Sequence, residues 1–267
     1  MESEGQLRDS VSVVTGASRG IGRATAVELA RVGSDVLICS RDTDELMNVK
    51  QEIGGDGSGD IEFARVDVTD QDSVEMMVEK AVEVFGGIDV LVNNAGVTGE
   101  MREFDETPME EYRRVFDVNF FGLVRVTKTC LPQLRSGGSV VNVASSSAVN
   151  PKTSPPYNAS KAAVINLTKT LSKTYAPEVR FNSVTPGPTM TEMVRGVVEE
   201  KAEEENLDFE EAYRRYVEED MPEITFDRVA EPGEVASVIR FLASPESSFV
   251  TGANYRVDGG VITTVDL

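Results

Sequence analysis

Short runs of apolar, mostly β-branched residues alternate along this chain with longer segments whose apolar residues recur every three or four positions. The short runs are typical of strands buried on both faces, and the longer segments are typical of amphipathic helices. Strands are predicted at 11–16, 35–40, 61–67, 88–94, 139–145, 178–184 and 254–260. Helices are predicted at 20–32, from 43 onward, and at 70–85, 108–134 and 157–175.

This alternation predicts a doubly wound α/β fold of the Rossmann type. Helices between apolar strands provide the crossovers of a parallel sheet, here of about seven strands, and cover both of its faces. Because no Pro-, Gly- or Ser-rich linker divides the sequence, we expect a single domain over residues 1–267. Ligands of such sheets bind beyond the carboxyl ends of the strands, so the candidate chemistry is sought there.

One charge-dense segment, residues 193–220, departs from the alternation. Apolar residues spaced three and four apart give it one apolar face: Phe209, Ala212, Tyr213, Tyr216 and Val217. Two interpretations remain open. The segment is either an outer helix with a solvated acidic side or, because it follows the sixth strand, a helical lid at about 190–225 that sets substrate size.

Composition adds a strong charge imbalance. Asp and Glu number 46 against 26 Lys and Arg, a formal net charge of -20. Such a surface repels nucleic acid and anionic membranes, so neither is expected as a partner. The even spread of acidic residues resembles cytoplasmic proteins of salt-accumulating organisms; an ordinary, mildly acidic enzyme is the alternative.

The sequence lacks a signal-like N-terminus and any apolar run of about 18 residues, so we expect a cytoplasmic protein. Cys39 and Cys130 lie within apolar segments and are predicted to be free, buried thiols. With no His in the chain and no zinc-like cysteine spacing, no metal site is predicted.

A glycine-rich turn follows the first predicted strand directly and opens a helix. It comprises Gly16, Ser18, Arg19, Gly20, Ile21 and Gly22. Glycines permit a tight turn and close approach of the backbone to a pyrophosphate, which the free N–H groups of the helix N-terminus then bind. The spacing differs from that of the commonest dinucleotide fingerprint, and a turn without a ligand is the alternative.

This turn, the sequence Asn-Asn-Ala-Gly at 93–96 and the pair Tyr157 and Lys161 occur in an order that resembles the short-chain dehydrogenase/reductase family. The resemblance extends over about residues 11–260. It implies an oxidoreductase that transfers a hydride between a nicotinamide cofactor and a ketone or secondary alcohol.

The end of the second strand indicates which cofactor is used. An acidic residue there would favour NAD(H), whereas this chain has Ser40 and Arg41, with Arg19 in the glycine turn. Two guanidinium groups and a hydroxyl suit the 2′-phosphate of NADP(H). Asp42 follows at once, but it is well placed to cap the next helix.

The resemblance implies further cofactor contacts, each in a loop after a strand. Asp67 and Val68 would flank the adenine, and Asn94, Ala95 and Gly96 would lie under the adenosine ribose. The nicotinamide carboxamide would meet Pro186, Gly187, Thr189 and Thr191. Without the resemblance, Pro186 and Gly187 would be an ordinary turn.

Tyr157 and Lys161 are four residues apart on a predicted helix, which places both on one face. We expect the ammonium group to lower the pKa of Tyr157, so that the phenol exchanges a proton with the substrate oxygen. The resemblance implies that Lys161 also binds the nicotinamide ribose and that Tyr157 borders the cofactor.

Two further catalytic residues follow from the resemblance. Ser145 stands directly after the fifth apolar run and would orient the substrate oxygen, although Ser146 remains an alternative. Asn119 would bend the long helix and anchor a water that leads to Lys161. An Asn inside an apolar helix otherwise needs explaining, because its amide must find partners.

The substrate is the least determined feature. The overall sequence is similar to 3-oxoacyl thioester reductases, with sugar, polyol and 3-hydroxyacid dehydrogenases as alternatives. A non-catalytic NADP(H)-sensing regulator is the remaining alternative, which the presence of all four catalytic residues disfavours. The pocket is expected near 97–104, 147–156 and 190–216. Relatives assemble as tetramers, so a homotetramer is predicted, and the apolar tail at 259–267 would be covered in it.

Overall fold

A computed structural model describes residues 7–53, 59–151 and 154–263 of the chain. Its strands are β1 (Val11–Thr15), β2 (Asp35–Ser40), β3 (Ile61–Arg65), β4 (Ile88–Asn93), β5 (Leu134–Val143), β6 (Val179–Pro186) and β7 (Asn254–Val257). All pair in parallel, in the order β3-β2-β1-β4-β5-β6-β7. The predicted doubly wound parallel sheet is confirmed.

Helices cover both faces of this sheet. They are α1 (Gly20–Arg31), α2 (Thr43–Ile53), α3 (Gln71–Phe85), α4 (Met109–Phe116), α5 (Leu123–Cys130), α6 (Pro155–Tyr175), α7 (Glu192–Glu205), α8 (Phe209–Arg215) and α9 (Pro232–Ala243). Buried residues of α1, α2 and α9 form one apolar cluster with the sheet. Residues of α3 and α5 form the second, against which the end of α6 packs. The two clusters bury the two faces of the sheet.

The helix predicted at 108–134 is confirmed as helical from Met109 to Gln133, but it is not α-helical throughout. A π-helical turn at Asp117–Gly122 separates α4 from α5, and a short 3-10 turn at Leu131–Gln133 ends the segment. Strand β5 then begins at Leu134 rather than at 139, because Leu134 pairs with Ile88 and a bulge follows. Helical periodicity does not reveal a single wide turn, and glycines at 137 and 138 weaken the strand pattern.

Two other boundaries also differ from prediction. Helix α6 starts at Pro155, since proline lacks an N–H group and is tolerated in the first turn of a helix. Strand β7 ends at Val257, because Asp258 accepts hydrogen bonds from the N–H groups of Gly260 and Ile262 and closes a turn. Residues 152, 153 and 264–267, which belong to the predicted pocket and tail, lie outside the described residues.

Helices α7 and α8 form a unit of their own, the α7–α8 segment (residues 190–229). Asn206 adopts a left-handed conformation that ends α7. The predicted apolar face is buried at Ala212, Tyr216 and Val217, which pack with Val198 and Val229 in a cluster separate from those of the sheet. The segment therefore has a small apolar core.

Cys39 and Cys130 are both buried and free, as predicted. Burial raises the pKa of both thiols, that of Cys130 to about 12. Among the described helices, none is long and apolar enough to span a bilayer.

Candidate active site

The turn between β1 and α1 depends on glycine at two positions. Gly16 has φ +64°, and a Cβ there would lie 2.8 Å from the Cα of Ala95. A Cβ on Gly22 would lie 2.2 Å from the carbonyl oxygen of Gly16. The first turn of α1 holds no acidic residue, so its free N–H groups and the helix dipole favour an anion. Of the other residues of the turn, Ser18, Gly20 and Ile21 are half-buried and Arg19 is exposed.

Thr15 joins this turn to the end of β4. Its hydroxyl accepts hydrogen bonds from the N–H groups of Asn94 (3.1 Å) and Ala95 (3.2 Å). The Asn94 side chain in turn donates to the carbonyls of Thr15 (3.1 Å) and Gly16 (2.9 Å). Thr15 begins the glycine turn in the sequence but was not among the predicted site residues, because a threonine at the end of a buried strand does not by itself indicate this role.

Two exposed guanidinium groups follow neighbouring strands: Arg41 comes directly after β2, and Arg19 lies in the turn after β1. Arg41 and Arg19 make no ion pair with any residue that the structure describes. Ser40 Oγ accepts a hydrogen bond from the N–H of Asp42 at 3.0 Å, and Asp42 Oδ1 accepts one from the N–H of Glu45 at 3.2 Å. Asp42 thus caps α2, as predicted, and both arginines are available to an anionic ligand.

The loop after β3 is held by its own side chains. Asp67 Oδ1 accepts hydrogen bonds from the N–H (2.9 Å) and the hydroxyl (2.7 Å) of Thr69. Burial alone would raise the pKa of Asp67, but these bonds and the nearby charge of Arg41 lower it overall. Val68 is buried, and its carbonyl accepts a hydrogen bond from Arg125 at 2.6 Å. These hydrogen bonds hold the loop after β3 next to the end of β2.

The loop after β6 reaches the glycine turn. A Cβ on Gly20 would lie 3.0 Å from Cγ2 of Thr191, the residue before α7. Thr189 is buried and donates a hydrogen bond to the carbonyl of Gly187 at 3.0 Å. Pro186 pairs with β7, so it is the last residue of β6 and not part of a free turn. Thr191, which is predicted to meet the nicotinamide, thus lies beside Gly20, which is predicted to bind the pyrophosphate.

Tyr157 and Lys161 lie one turn apart near the start of α6. Lys161 Nζ is 5.8 Å from the centre of the Tyr157 ring. It is buried and donates a hydrogen bond to the carbonyl of Val143 at 2.9 Å. Burial lowers the pKa of Lys161 to about 8. The ammonium group is consequently charged at neutral pH and loses its proton under mildly alkaline conditions.

The expected lowering of the Tyr157 pKa is not found. Burial raises the pKa of the phenol, and a hydrogen bond from Ser145 opposes that rise only partly. Two features explain the difference: Lys161 directs its ammonium group at a backbone carbonyl, and desolvation disfavours the phenolate. Tyr157 is therefore a protonated phenol at neutral pH, in the form that donates a proton.

Ser145 rather than Ser146 is the serine whose hydroxyl opposes the rise in the pKa of Tyr157. Ser145 precedes a short 3-10 turn, and its hydroxyl accepts a hydrogen bond from the N–H of Ser147 at 3.2 Å while bonding to Tyr157. Ser146 is the first residue of that turn and is buried. This geometry favours Ser145 as the serine of the candidate site.

Asn119 lies in the π-helical turn and faces the same site. Its Nδ2 donates to the Val97 carbonyl (2.9 Å) and to Ser160 Oγ (3.0 Å), and its Oδ1 accepts from the N–H of Val97 (2.8 Å). A Cβ on Gly96 would lie 3.2 Å from Asn119 Oδ1 and 3.4 Å from Lys161 Nζ. Asn119 and Lys161 thus meet across Gly96.

Together these contacts gather the four predicted catalytic residues at the carboxyl ends of β4 and β5. The arrangement offers a protonated phenol, a hydroxyl beside it and a buried ammonium group, which can supply a proton to a carbonyl oxygen. Among residues 7–53, 59–151 and 154–263, no group of three or more His, Cys, Asp or Glu could hold a metal ion.

Comparison with known proteins finds similarity to oxidoreductases. A family model described as enoyl-(acyl carrier protein) reductase matches residues 16–262. The 3-oxoacyl-(acyl-carrier-protein) reductase FabG of Thermotoga maritima is 37% identical over 267 residues, which cover 96% of this chain and 99% of that protein.

Solved structures are similar over the whole length. The short-chain dehydrogenase/reductase SDR:Glucose/ribitol dehydrogenase from Brucella melitensis has a TM-score of 0.85 at 31% identity, over 98% of this chain and 100% of that one. The L-sorbose reductase from Gluconobacter frateurii, solved with NADPH and L-sorbose, has a TM-score of 0.92 at 29% identity, over 99% and 100%.

Proposed function

Because this chain belongs to the short-chain dehydrogenase/reductase family, we propose that it is an NADP(H)-dependent oxidoreductase that interconverts a ketone and a secondary alcohol. The observation that carries the proposal is the buried Lys161 ammonium group 5.8 Å from the centre of the Tyr157 ring, with Asn119 across Gly96 from Lys161. A protein that only senses the nucleotide has no need of this group.

The residues present fit NADP(H). Gly16 and Gly22 let the turn pack closely against Ala95 and against itself, and the N-terminus of α1 that follows carries no acidic residue, which suits a pyrophosphate. Arg19 and Arg41 would bind the 2′-phosphate, which needs cationic partners that are not already paired. When bound, the cofactor supplies or accepts the hydride.

Further contacts are proposed on the positions predicted from the sequence. Asp67 and Val68 would border the adenine, and the backbone at Asn94, Ala95 and Gly96 would border the ribose. The nicotinamide side would be bordered by Tyr157, Lys161, Pro186, Gly187, Thr189 and Thr191. These contacts are proposed because the residues lie at the carboxyl ends of β3 to β6, where ligands of such sheets bind.

The chain's own groups handle the proton. In the reductive direction Tyr157 donates the phenolic proton to the carbonyl oxygen, and Ser145 would turn its single hydroxyl hydrogen from the phenol to that same oxygen. The Lys161 ammonium favours the phenolate that remains, because an opposite charge stabilises the ionised form. Asn119 fixes the loop beside Lys161, where a water would return the proton to Tyr157.

For the substrate we propose a 3-oxoacyl thioester, supported by the 37% identity to the Thermotoga maritima reductase. A sugar or polyol is the second candidate, because the structural similarity to L-sorbose reductase is high. A 3-hydroxyacid is the third. The α7–α8 segment would act as the lid, since it leaves the end of β6 and carries exposed Met193 and Val197.

We also propose a cytoplasmic homotetramer adapted to salt. The exposed Phe121 and Phe249 are apolar groups that subunit contacts would cover. Sedimentation at high salt should give a species four times the chain mass, and a monomer under those conditions would remove this part of the proposal.

The function is tested by following the oxidation of NADPH and of NADH with 3-oxoacyl thioesters, sugar ketones and 3-oxoacids, at high and low salt. Turnover of one class with NADPH supports the proposal and identifies the substrate. Turnover with NADH alone refutes the cofactor assignment. Tight NADPH binding without turnover of any compound refutes the enzyme and favours the regulator.

A further inference from the structure

The loop after β4, residues 97–100, is held by three side chains from three different elements. Asn119 binds both backbone groups of Val97. Ser154, the residue before α6, donates its hydroxyl to the carbonyl of Thr98 at 2.6 Å. The third anchor is Glu111 of α4, whose Oε1 accepts a hydrogen bond from the N–H of Glu100 at 2.8 Å.

Glu111 is unusual among the many acidic residues of this chain. The residue is only 8% exposed, whereas the acidic surface residues are solvated. Arg114 donates two N–H groups to it, at 2.8 and 2.7 Å. These bonds, followed by the one from the Glu100 amide, lower the pKa of Glu111 to about 2. The group is therefore a permanent carboxylate held in a fixed geometry.

Gly99 shows how closely the loop approaches this carboxylate. It has φ +78°, and a Cβ there would lie 2.8 Å from Glu111 Oε1 and 3.2 Å from Ser154 Oγ. The two anchoring side chains thus converge on one residue that must be glycine. Because Ser154 precedes the helix that bears Tyr157, the loop is tied to the start of the catalytic helix.

We infer that Glu111 is a positioning residue, whose carboxylate fixes loop 97–100 against the start of the catalytic helix and so sets the substrate side of the active site. After Glu100 the chain continues into Met101 and Phe104, which are 69% and 75% exposed and belong to the predicted pocket. Fixing the loop places these two apolar side chains. The effect of Glu111 on substrate binding rests on the proposed function, whereas the effect of Glu111 on the loop does not.

The effect on the loop is tested by hydrogen exchange at the Glu100 amide in the full-length protein. Glu111→Ala should accelerate exchange at this amide about tenfold or more, because a charge-assisted hydrogen bond is lost. The matched control is Glu110→Ala. Glu110 pairs with Arg113 at 3.0 Å on the same helix with the same spacing, but is exposed and does not touch the loop. Unchanged exchange in Glu111→Ala, or equal acceleration in the control, would overturn the inference.

The effect on substrate is tested by steady-state kinetics and NADPH titration. Glu111→Ala should raise the KM for the substrate several-fold more than it lowers kcat, with the Kd for NADPH within twofold. Glu111→Gln, which keeps an acceptor for the Glu100 amide, should recover part of the loss and provides a second variant if Glu111→Ala folds poorly.

If kcat falls, KM rises and NADPH affinity falls by the same factor, the variant is generally destabilised and the positioning role is overturned. Hydrogen exchange and kinetics test the anchoring of the loop and the proposed function separately. If the wild-type protein turns over no substrate, the proposed function fails, while exchange at Glu100 still decides whether Glu111 anchors the loop.

Discussion

The side-chain amide of Asn119 pairs with the backbone of Val97 in both directions, donating to its carbonyl and accepting from its N–H. With Ser160 as the third partner, both N–H groups of the amide are used. The cost of a buried polar group inside an apolar helix is offset by these bonds. The π-helical turn coincides with Asn119 and lies against the loop beside Lys161.

Removal of the phenolic hydroxyl tests the proton donor. Tyr157→Phe should lower kcat by at least about 10²-fold, the usual contribution of a general acid or base. NADPH affinity, measured by fluorescence titration, should stay within a few-fold, because the ring remains. Substantial turnover by the variant would refute the role of Tyr157.

Two adjacent serines allow a matched comparison. Ser145→Ala should lower kcat by about 10²-fold, since a preformed donor to the developing charge is lost. Ser146→Ala, which changes the neighbouring residue of the same turn, should stay within a few-fold of wild type. The reverse pattern would assign the role to Ser146.

Cofactor preference depends on Arg41 and Arg19. Arg41→Asp should reduce the ratio of kcat/KM for NADPH over NADH by about 10²-fold, because a cationic partner of the phosphate is replaced by a like charge. Arg31→Asp at the far end of α1 makes the same change in net charge and should leave the ratio unchanged. An unaltered ratio in Arg41→Asp would contradict the assignment of Arg41.

The pH dependence follows from Lys161. Burial lowers its pKa from 10.5 to about 8, so the ammonium group is present below pH 8 and lost above it. In reduction, kcat/KM should fall up to about tenfold per pH unit above that value. The arginine of Lys161→Arg stays charged, so the kcat/KM of this slower variant should not fall above pH 8. A flat profile from pH 7 to pH 10 in the wild type would argue against a catalytic ammonium.

The same pKa has a consequence for stability. Since a lysine charged in the unfolded chain up to about 10.5 is neutralised near 8 in the folded one, the unfolded state binds more protons between these values. The contribution of Lys161 to the free energy of unfolding therefore rises as the pH increases from 8 to 10.5, the opposite of its effect on activity.

The proposed adaptation to salt is tested by thermal unfolding. A net charge of -20 repels itself over about 10 Å at 0.1 M salt but only about 3 Å at 1 M. The Tm should therefore rise between these concentrations of KCl, and activity lost on dialysis should return. A Tm that stays constant or falls as the KCl concentration rises would refute the adaptation to salt and favour an ordinary acidic enzyme.

The alternation of apolar runs was enough to predict the sheet and its flanking helices, because both faces of each central strand are buried. Residues such as Val13, Leu37 and Val141 have no exposure at all. The glycine turn could also be predicted, since its backbone excludes side chains at Gly16 and Gly22. The roles of the cofactor-binding and catalytic residues stay predictions.

Features that depend on contacts between distant segments could not be predicted. Glu111 is one acidic residue among many in a helical pattern, and only the folded chain places it against Glu100. The raised pKa of Tyr157 depends on burial and on where the Lys161 ammonium group points, neither of which the spacing of four residues determines. The bend at Asn119 was expected from the family resemblance, but its form as a π-helical turn was not, because one extra residue in a turn is hard to recognise in a short apolar pattern.

The separate apolar core of the α7–α8 segment has a consequence for how this chain can change. Val198, Ala212 and Tyr216 pack on one another and not in the clusters that stabilise the sheet. Substitutions around them alter the segment after β6 while the free energy that holds the sheet and its flanking helices together is largely spared, because distant sites contribute additively. The core of this segment can thus diverge in sequence without loosening the sheet.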